Sequence, residues 1–306
     1  MNTTHRHYND EMGDFNRLCC FMIDHNSEVR RFSTWVLGRI VDWKYGVWGD
    51  KLSTPGFWEK NAQLWFDGFG KLAGFAISEE GGSDIAIITT AGHRFLFEEM
   101  LNWALENWGD RGPALSIEIT ALQSMEIPIL ERYQFTKDAS FFRSHFDLTS
   151  ELSNTFPLAD GFRIVDMKSS PDIRAKCILR RNAFGGKSDM NDKEIARESK
   201  IHEFGHQSPI YHPDTDLYVL SPEGIFVSGC EALIDIQNLE ADIERVCTHS
   251  NYRRMGFARA VIQECLVRLK AMGIIKAHIT GYSPEAIALY GSLGKGNQSE
   301  YMIYKG

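Results

Sequence analysis

The sequence lacks an uninterrupted apolar stretch long enough to span a bilayer, and Met1–His7 carry no apolar signal segment. None of its six cysteines forms a Cys-x-x-Cys pair, and most lie in apolar stretches. We therefore expect buried free thiols in a reducing compartment. The formal net charge of −8 disfavours nucleic acid and anionic membrane surfaces as the main partners. Together these absences predict a cytoplasmic protein.

The length of 306 residues is enough for two domains, each with its own core. One segment, Thr149–Asp160, is rich in small polar residues and contains a proline, so it is the expected linker. We predict a first domain over residues 1–150 and a second over residues 151–306. Before the first helical region, residues up to about Gly13 indicate a polar tail. Both halves then alternate strand and helix patterns, as α/β domains do.

The second half is organised around a strand, a turn and a helix. Glu240–Thr248 has the pattern of a strand, and the apolar residues that begin at Phe257 recur at helical spacing. Between them lies the turn that contains Gly256. Orphan backbone N–H groups and the helix dipole make such a helix N-terminus an anion site. Gly256 permits close backbone approach, and Arg253 and Arg254 add charge suited to a pyrophosphate.

This junction resembles the R/Q-x-x-G-x-G/A pattern of the GNAT superfamily of N-acetyltransferases, with Arg253, Gly256 and Ala258 at the pattern positions. Downstream, Ser283–Gly294 resembles the superfamily's N-x-x-A-x-x-L-Y-x-x-x-G-F segment. Ser283 replaces the usual Asn, and no Phe follows the final glycine. The whole chain is similar to bacterial proteins that contain two GNAT-like halves.

The resemblance implies two tandem α/β domains, each with a mixed, mostly antiparallel central sheet flanked by helices. It implies acetyl-CoA as co-substrate, with the pantetheine held by backbone groups near Val246–Thr248. The corresponding junction in the first half, Ala91–Leu96, lacks the glycine pattern, so we expect a degenerate domain without coenzyme there. The predicted coenzyme-binding residues are Val246, Cys247, Thr248, Arg253, Arg254, Met255, Gly256, Phe257, Ala258 and Ser283.

Acetyl transfer from a thioester requires a neutral amine, a polarised carbonyl and a protonated leaving thiolate. Tyr290 occupies the position of the family's general acid. Glu244 and Asp242, two residues apart on one strand, share a face and are the first and second candidates for the base. His278, on the strand expected to splay from this one, is the third. The alternative is that these three are solvated strand residues. For Cys247 we expect a buried thiol, not a nucleophile.

A rival motif is His202-Glu-Phe-Gly-His206 with His212 six residues later, the spacing of three zinc-binding histidines in metzincin proteases. Pro209 stands where that family has glycine, and Gly205 indicates that the helix ends at the motif. We therefore predict no metal site. On this interpretation His202, Glu203 and His206 lie at the acceptor side of a GNAT domain.

The sequence thus predicts an acetyl-CoA-dependent N-acetyltransferase that acts by direct attack in a ternary complex. An acidic protein suits a small cationic amine such as an aminoglycoside, a polyamine or an amino-acid derivative, while a protein N-terminus or lysine stays open. A coenzyme A-binding regulatory module without turnover is the main alternative, and a zinc protease is the lesser one. The sequence does not determine the oligomeric state.

Overall fold

The computed structural model describes residues 2–33, 35–46, 51–152, 156–187, 189–293 and 297–306. The chain forms two compact units. The first combines Met1–Phe141 with Glu300–Gly306, and the second is Phe142–Ser299. The expected linker therefore lies within the second unit, with residues 153–155 outside the described part. Across the described ranges, no helix is both long and apolar enough to cross a membrane.

The first unit has an antiparallel sheet with one parallel pair, β4 and β5, among the pairings that are described. Its strands follow the order β1-β2-β3-β4-β5-β12-β6, where β12 is the last strand of the chain, Asn297–Lys305. The helices and strands in chain order are β1 (Thr4–His7), α1 (Asp14–Asp24), α2 (Asn26–Phe32), α3 (Leu37–Tyr45), α4 (Phe57–Asn61), β2 (Ala62–Phe66), β3 (Leu72–Ser78), β4 (Asp84–Thr89), α5 (Phe97–Trp108), β5 (Ser116–Thr120), α6 (Glu126–Arg132) and β6 (Thr136–Asp147).

The predicted N-terminal polar tail is wrong. Thr4–His7 form β1, which pairs antiparallel with β2, and Tyr8 is buried. Arg6 forms a bidentate ion pair with the buried carboxylate of Asp14 at the start of α1. The segment is ordered by polar contacts and by pairing with a distant strand. Neither leaves an apolar periodicity in the sequence.

The second unit has the same kind of sheet, with strand order β6-β11-β10-β9-β8-β7 and a parallel pair, β10 and β11. The fold class is confirmed: each unit has a mixed, mostly antiparallel sheet flanked by helices. The remaining elements are β7 (Arg163–Asp166), α7 (Ile173–Gly185), α8 (Asp192–Gly205), β8 (Tyr211–Leu220), β9 (Phe226–Asp235), β10 (Glu240–Thr248), α9 (Phe257–Ala271), β11 (Lys276–Gly281), α10 (Pro284–Gly291) and β12 (Asn297–Lys305).

Two strands contribute to both units. Residues 142–147 of β6 pair with β11 in the second unit, whereas residues 136–141 belong to the first. Conversely, residues 301–305 of β12 pair with β5 in the first unit. The sequence analysis did not predict β12, and it assigned β6 to the first half alone. Each unit is thus completed by a strand from the other half of the sequence.

The two faces of the second unit's sheet differ in chemistry. On β10, Ala241 and Ile243 belong to the apolar core formed with α9, where Phe257 and Val261 are buried. Because side chains alternate along a strand, Asp242 and Glu244 lie on the opposite face. Fully burying one such aliphatic or aromatic side chain contributes roughly 1.5–3 kcal/mol, so each of these residues stabilises the packing of α9 on the sheet. The opposite face is free to carry polar groups.

Candidate active site

A bulge interrupts β10 in the middle of the candidate site. Glu244 pairs with Glu231 of β9 and Cys247 pairs with Gly229, so two residues of β10 face one of β9. The first of the two, Arg245, has a left-handed backbone with φ of 53°. A non-glycine residue in this region costs roughly 1–2 kcal/mol, and such strain concentrates at functional sites. The bulge removes this stretch of backbone from the regular ladder.

The parallel strands β10 and β11 stop pairing just before the bulge. Their pairing covers Glu240–Asp242 against Lys276–His278, although β10 continues to Thr248 and β11 to Gly281. Asp242 and His278 therefore form the last register pair, and beyond them the two strands diverge. We call the gap between the diverging strands the splay, so this pair lies at its closed end. Beyond it, the gap between two diverging strands can admit an extended ligand.

Opposite this gap lies the N-terminus of α9. Gly256, the residue before the helix, has φ of 81° and no side chain caps the first turn. The first backbone bond of this helix end runs from the Ala260 N–H to the Gly256 carbonyl at 3.0 Å. The preceding N–H groups are those that a helix start leaves for an anion. Arg253 and Arg254 lie directly before this turn.

A cavity of about 640 Å³ joins these features. Most of the predicted coenzyme-binding residues line it, together with Tyr290, whereas Met255, Asp242 and Glu244 do not. Residues that the sequence analysis missed come chiefly from the ends of α7 and α10. The predicted residues on the lining are Val246, Cys247, Thr248, Arg253, Arg254, Gly256, Phe257, Ala258 and Ser283, and those that were missed are Ala183, Phe184, Tyr252, Arg259, Glu285, Ala286 and Leu289.

Comparison with known proteins identifies this region. The acetyltransferase (GNAT) family model matches residues 191–294, which run from the start of α8 past the end of α10. These residues make up most of the second unit, and the match shows that they belong to a GNAT-family acetyltransferase domain. The final glycine of its closing motif, Gly294, lies outside the described residues. No curated protein matches the chain by sequence.

Solved structures extend the likeness to the whole chain. A GCN5-related N-acetyltransferase from Sphaerobacter thermophilus is 15% identical, with a TM-score of 0.66 over 99% of this chain and 95% of that chain. A tandem GNAT protein from the clavulanic acid biosynthesis pathway is 9% identical, with a TM-score of 0.66 over 100% and 98%. A GNAT-family acetyltransferase from Colwellia psychrerythraea is 12% identical, with a TM-score of 0.58 over 100% and 99%. At these identities the likeness shows the fold, which is that of tandem GNAT proteins.

Within this GNAT domain, Tyr290 lines the cavity with 7% of its surface exposed. Burial raises the pKa of Tyr290 well above its ordinary value, and the nearby charge of Glu244 acts in the same direction. A Cβ atom at Gly281 would lie 3.2 Å from the Tyr290 ring and 3.1 Å from the backbone nitrogen of Ile287. Gly281 thus makes room for the tyrosine, which keeps its proton throughout the neutral range.

Gly256 is also packed against Phe156, a contact that the sequence did not indicate. A Cβ atom there would lie 2.3 Å from the ring of Phe156, and the backbone N–H of Phe156 donates to Gln263 Oε1 at 2.8 Å. The left-handed φ alone favours glycine. A larger residue at this position would therefore disturb the local packing as well as any ligand.

Glu244 belongs to a row of carboxylates that crosses three strands. Asp216 of β8 pairs with Glu231 of β9, which pairs with Glu244 of β10, so the three lie side by side on one face. Glu231 Oε2 accepts from the Arg180 guanidinium at 2.6 Å and from Lys176 Nζ at 3.3 Å.

The cations around this row complete a buried network. Lys176 Nζ also donates to Asp216 Oδ2 at 2.5 Å, and Arg245 donates to Glu231 Oε2 at 3.3 Å. Burial would raise the pKa of Asp216, but the Lys176 ammonium outweighs it and holds that pKa well below its usual range. Three cations, Lys176, Arg180 and Arg245, therefore contact the carboxylates of Asp216 and Glu231, and Glu244 is the next carboxylate of the row. The sequence analysis missed this network because its members come from α7, β8, β9 and β10.

Two histidines of the rival motif, His202 and His206, lie close to these cations. His202 Nδ1 lies 3.5 Å from the Arg180 guanidinium, and His206 Nε2 lies 2.9 Å from Lys176 Nζ. Burial and the charge of Arg180 hold the pKa of His202 well below its usual value. In the part of the chain that the structure describes, no group of three His, Cys, Asp or Glu side chains is arranged to hold a metal. The helix α8 ends at Gly205, as its sequence indicated.

Cys247, which the sequence predicted to be a buried thiol and not a nucleophile, lies on the cavity lining and is buried. Burial raises the pKa of its thiol to about 11. A thiol protonated at neutral pH is a poor nucleophile. Cys247 therefore contributes buried, protonated thiol surface to the cavity wall beside the bulge.

Proposed function

We propose that the second unit transfers an acetyl group, or another short acyl group, from its coenzyme A thioester to an amine. The observation that carries this proposal is the 640 Å³ cavity, which extends from the uncapped N-terminus of α9 to the bulged end of β10 and Tyr290. The pyrophosphate would bind the N–H groups that follow Gly256, with Arg253 and Arg254 neutralising its charge. The pantetheine would follow the backbone near Val246–Thr248.

The chemistry is direct attack of the amine on the thioester carbonyl in a ternary complex. Glu244, or Asp242 beside it, takes one proton from the ammonium, which frees the lone pair. The C–N bond forms, the C–S bond breaks, and Tyr290 donates a proton or hydrogen bond to the leaving sulfur. Glu244 is preferred because it is half-buried, whereas Asp242 is buried, and because its charge influences the pKa of Tyr290.

The acceptor is proposed to be a small cationic amine, such as a polyamine, an aminoglycoside or an amino-acid derivative. The net charge of −8 supports this choice, because it attracts cations to the protein. The carboxylates Asp242 and Glu244 lie together on the face of β10 opposite α9, which supports an ammonium-binding side of the site.

The first unit is proposed not to bind the coenzyme. Where the second unit has a left-handed glycine and open N–H groups, this unit has a 3-10 helix over Ala91–Leu96. Arg94 of this helix makes two bonds to the carboxylate of Glu126, at 2.7 and 2.5 Å, and Glu126 is 2% exposed. The guanidinium also lies 4.7 Å from the ring centre of Phe32. An arginine used in this way is not available to a phosphate.

The test is calorimetric titration with acetyl-CoA, followed by thiol-release assays with spermidine, kanamycin, amino acids and a lysine peptide. We expect one site per chain and turnover with at least one small amine. Replacing both Arg253 and Arg254 with alanine should weaken binding by roughly 10–100-fold, because two charge-assisted contacts are lost.

The matched control is Arg174→Ala, which removes an exposed arginine of α7 that pairs with Asp192. It should leave coenzyme affinity unchanged. Two sites per chain would contradict the proposal for the first unit. Binding without thiol release across the panel would indicate a coenzyme A-binding module instead of an enzyme.

A further inference from the structure

Two histidines form a direct contact at the closed end of the splay. His145 of β6 and His278 of β11 are partners in the antiparallel register, so their side chains share one face. Their Nδ1 atoms lie 2.8 Å apart, with the rings nearly perpendicular at 81°. At this distance one ring donates its Nδ1–H and the other accepts. The tautomers of the two imidazoles are thus linked.

The outer end of the pair reaches towards the surface. His145 Nε2 lies 2.8 Å from Ser299 Oγ, and Ser299 is half-buried between exposed neighbours. If His278 donates at Nδ1, His145 holds its proton at Nε2 and donates to the Ser299 hydroxyl. A continuous line of hydrogen bonds therefore leads from a buried imidazole to a group within reach of solvent.

The inner end of the pair lies beside the candidate bases. His278 is the register partner of Asp242, and both are buried. His278 Nε2 lies 3.8 Å from Glu240 Oε2, and the Lys276 ammonium donates to the other oxygen, Glu240 Oε1, at 3.4 Å. Asp242 and Glu244 lie on this same face of β10. On β6, Arg143 donates to Thr280 Oγ1 at 3.1 Å.

We propose that His278, His145 and Ser299 form a proton relay that carries the acceptor's proton from the splay to solvent. This inference rests on the acetyl transfer proposed above. Acylation of an ammonium releases one proton to the medium, while the second proton lost by nitrogen goes to the leaving sulfur. The relay handles the first of these. It makes His278 and His145 relay residues for the base. The sequence analysis considered His278 only as the third candidate for the base itself and did not consider His145.

The steps balance as follows. The carboxylate on β10 passes its proton to His278 Nε2, and His278 passes its Nδ1 proton to His145 Nδ1. His145 then gives its Nε2 proton to Ser299 Oγ as the hydroxyl releases its own proton to water. One proton has left the site and no charge remains on the rings. Tautomer exchange of the two imidazoles and rotation of the hydroxyl restore the starting state.

The test compares His145→Asn with the wild type, using acetyl-CoA and the most active amine of the panel above. Asparagine can accept the hydrogen bond from His278 but cannot take up and pass on a proton. We expect kcat to fall about tenfold or more, with little change in the affinity for acetyl-CoA. The acid limb of the pH profile for kcat should change, since a coupled pair is replaced by one imidazole. Ser299→Ala should also lower kcat, as His145→Asn does.

The matched control is Ser144→Ala. Ser144 accepts from Gln298 Nε2 at 3.1 Å. The variant therefore removes a hydrogen bond between β6 and β12, the strands that carry His145 and Ser299, but on the opposite face of the sheet. It should keep both kcat and the pH profile. An unchanged pH profile in His145→Asn, with or without lower stability, would overturn the relay. If the wild type transfers no acetyl group to any amine, the proposed function fails and the relay fails with it.

Discussion

Removing the Tyr290 hydroxyl is the most direct test of the proposed chemistry. Burial raises the pKa of this phenol well above its ordinary value. An ordinary phenol has a pKa of about 10 and burial raises this one further, so less than about a tenth of it would be ionised at pH 9. Tyr290 is therefore a proton or hydrogen-bond donor over the whole practical range. Tyr290→Phe keeps the ring, its packing against Gly281 and its place in the cavity wall.

The expected result is a fall in kcat of roughly 10²–10⁴-fold, the usual contribution of a positioned acid. The dissociation constant for acetyl-CoA should stay within about threefold, because the lost group acts on the leaving sulfur and not on the bound coenzyme. Both quantities can be measured on the same preparation, by thiol release and by calorimetric titration. Tyr252→Phe is the matched control, since Tyr252 lines the same cavity but lies in the turn before α9.

The pH dependence sharpens this test. Because the raised pKa keeps Tyr290 protonated, its ionisation cannot produce a fall in kcat below about pH 10. An alkaline limb below about pH 10 that is present in the wild type and absent from Tyr290→Phe would therefore contradict a raised pKa for Tyr290. Equal turnover of the variant and the wild type would remove the hydroxyl from the mechanism altogether.

Two further predictions concern packing and charge. Gly281→Ala should cost roughly 1–3 kcal/mol of unfolding free energy and lower kcat, because the new Cβ would crowd Tyr290 and Ile287; wild-type kcat and stability would show that the ring can move aside. Lys176→Met should cost roughly 3–5 kcal/mol in urea unfolding, since it leaves the buried Asp216 without its nearest cation. Because the Asp216 pKa is held low, the stabilisation is present above about pH 4 and is lost as the pH falls. The variant should therefore show a weaker loss of stability on acidification, and an unchanged acid dependence would assign that dependence to other groups.

The anion-binding end of the site could be predicted because its determinants are local. Gly256, the two preceding arginines and the helical period after Phe257 are adjacent in sequence, and a left-handed residue before a helix favours glycine. The same holds for Ser283, whose hydroxyl accepts from the Ala286 N–H and caps α10. Short-range rules of this kind suffice where a few consecutive residues fix both backbone and function.

The parts that could not be predicted depend on contacts between distant segments. The bulge places Arg245 in a left-handed conformation, although arginine carries no sequence signal for it. The network of Lys176, Arg180, Asp216 and Glu231 gathers residues from three elements. Likewise, β12 is a strand because β5 offers it a partner, with Tyr301 opposite Thr120. Pairing partners so far apart leave no local pattern.

The bulge also explains how one strand serves both the core and the site. Before it, Ile243 faces the α9 core and Glu244 the polar side, as strict alternation requires. Without the bulge, Val246 would face the polar side and Cys247 the α9 core. The extra residue reverses this: Val246 packs against the α9 core, and Cys247 joins the cluster of Tyr218 and α7. A shift of one residue exchanges the two faces of a strand. The strained Arg245 backbone therefore turns the end of β10 towards the helix N-terminus that completes the cavity.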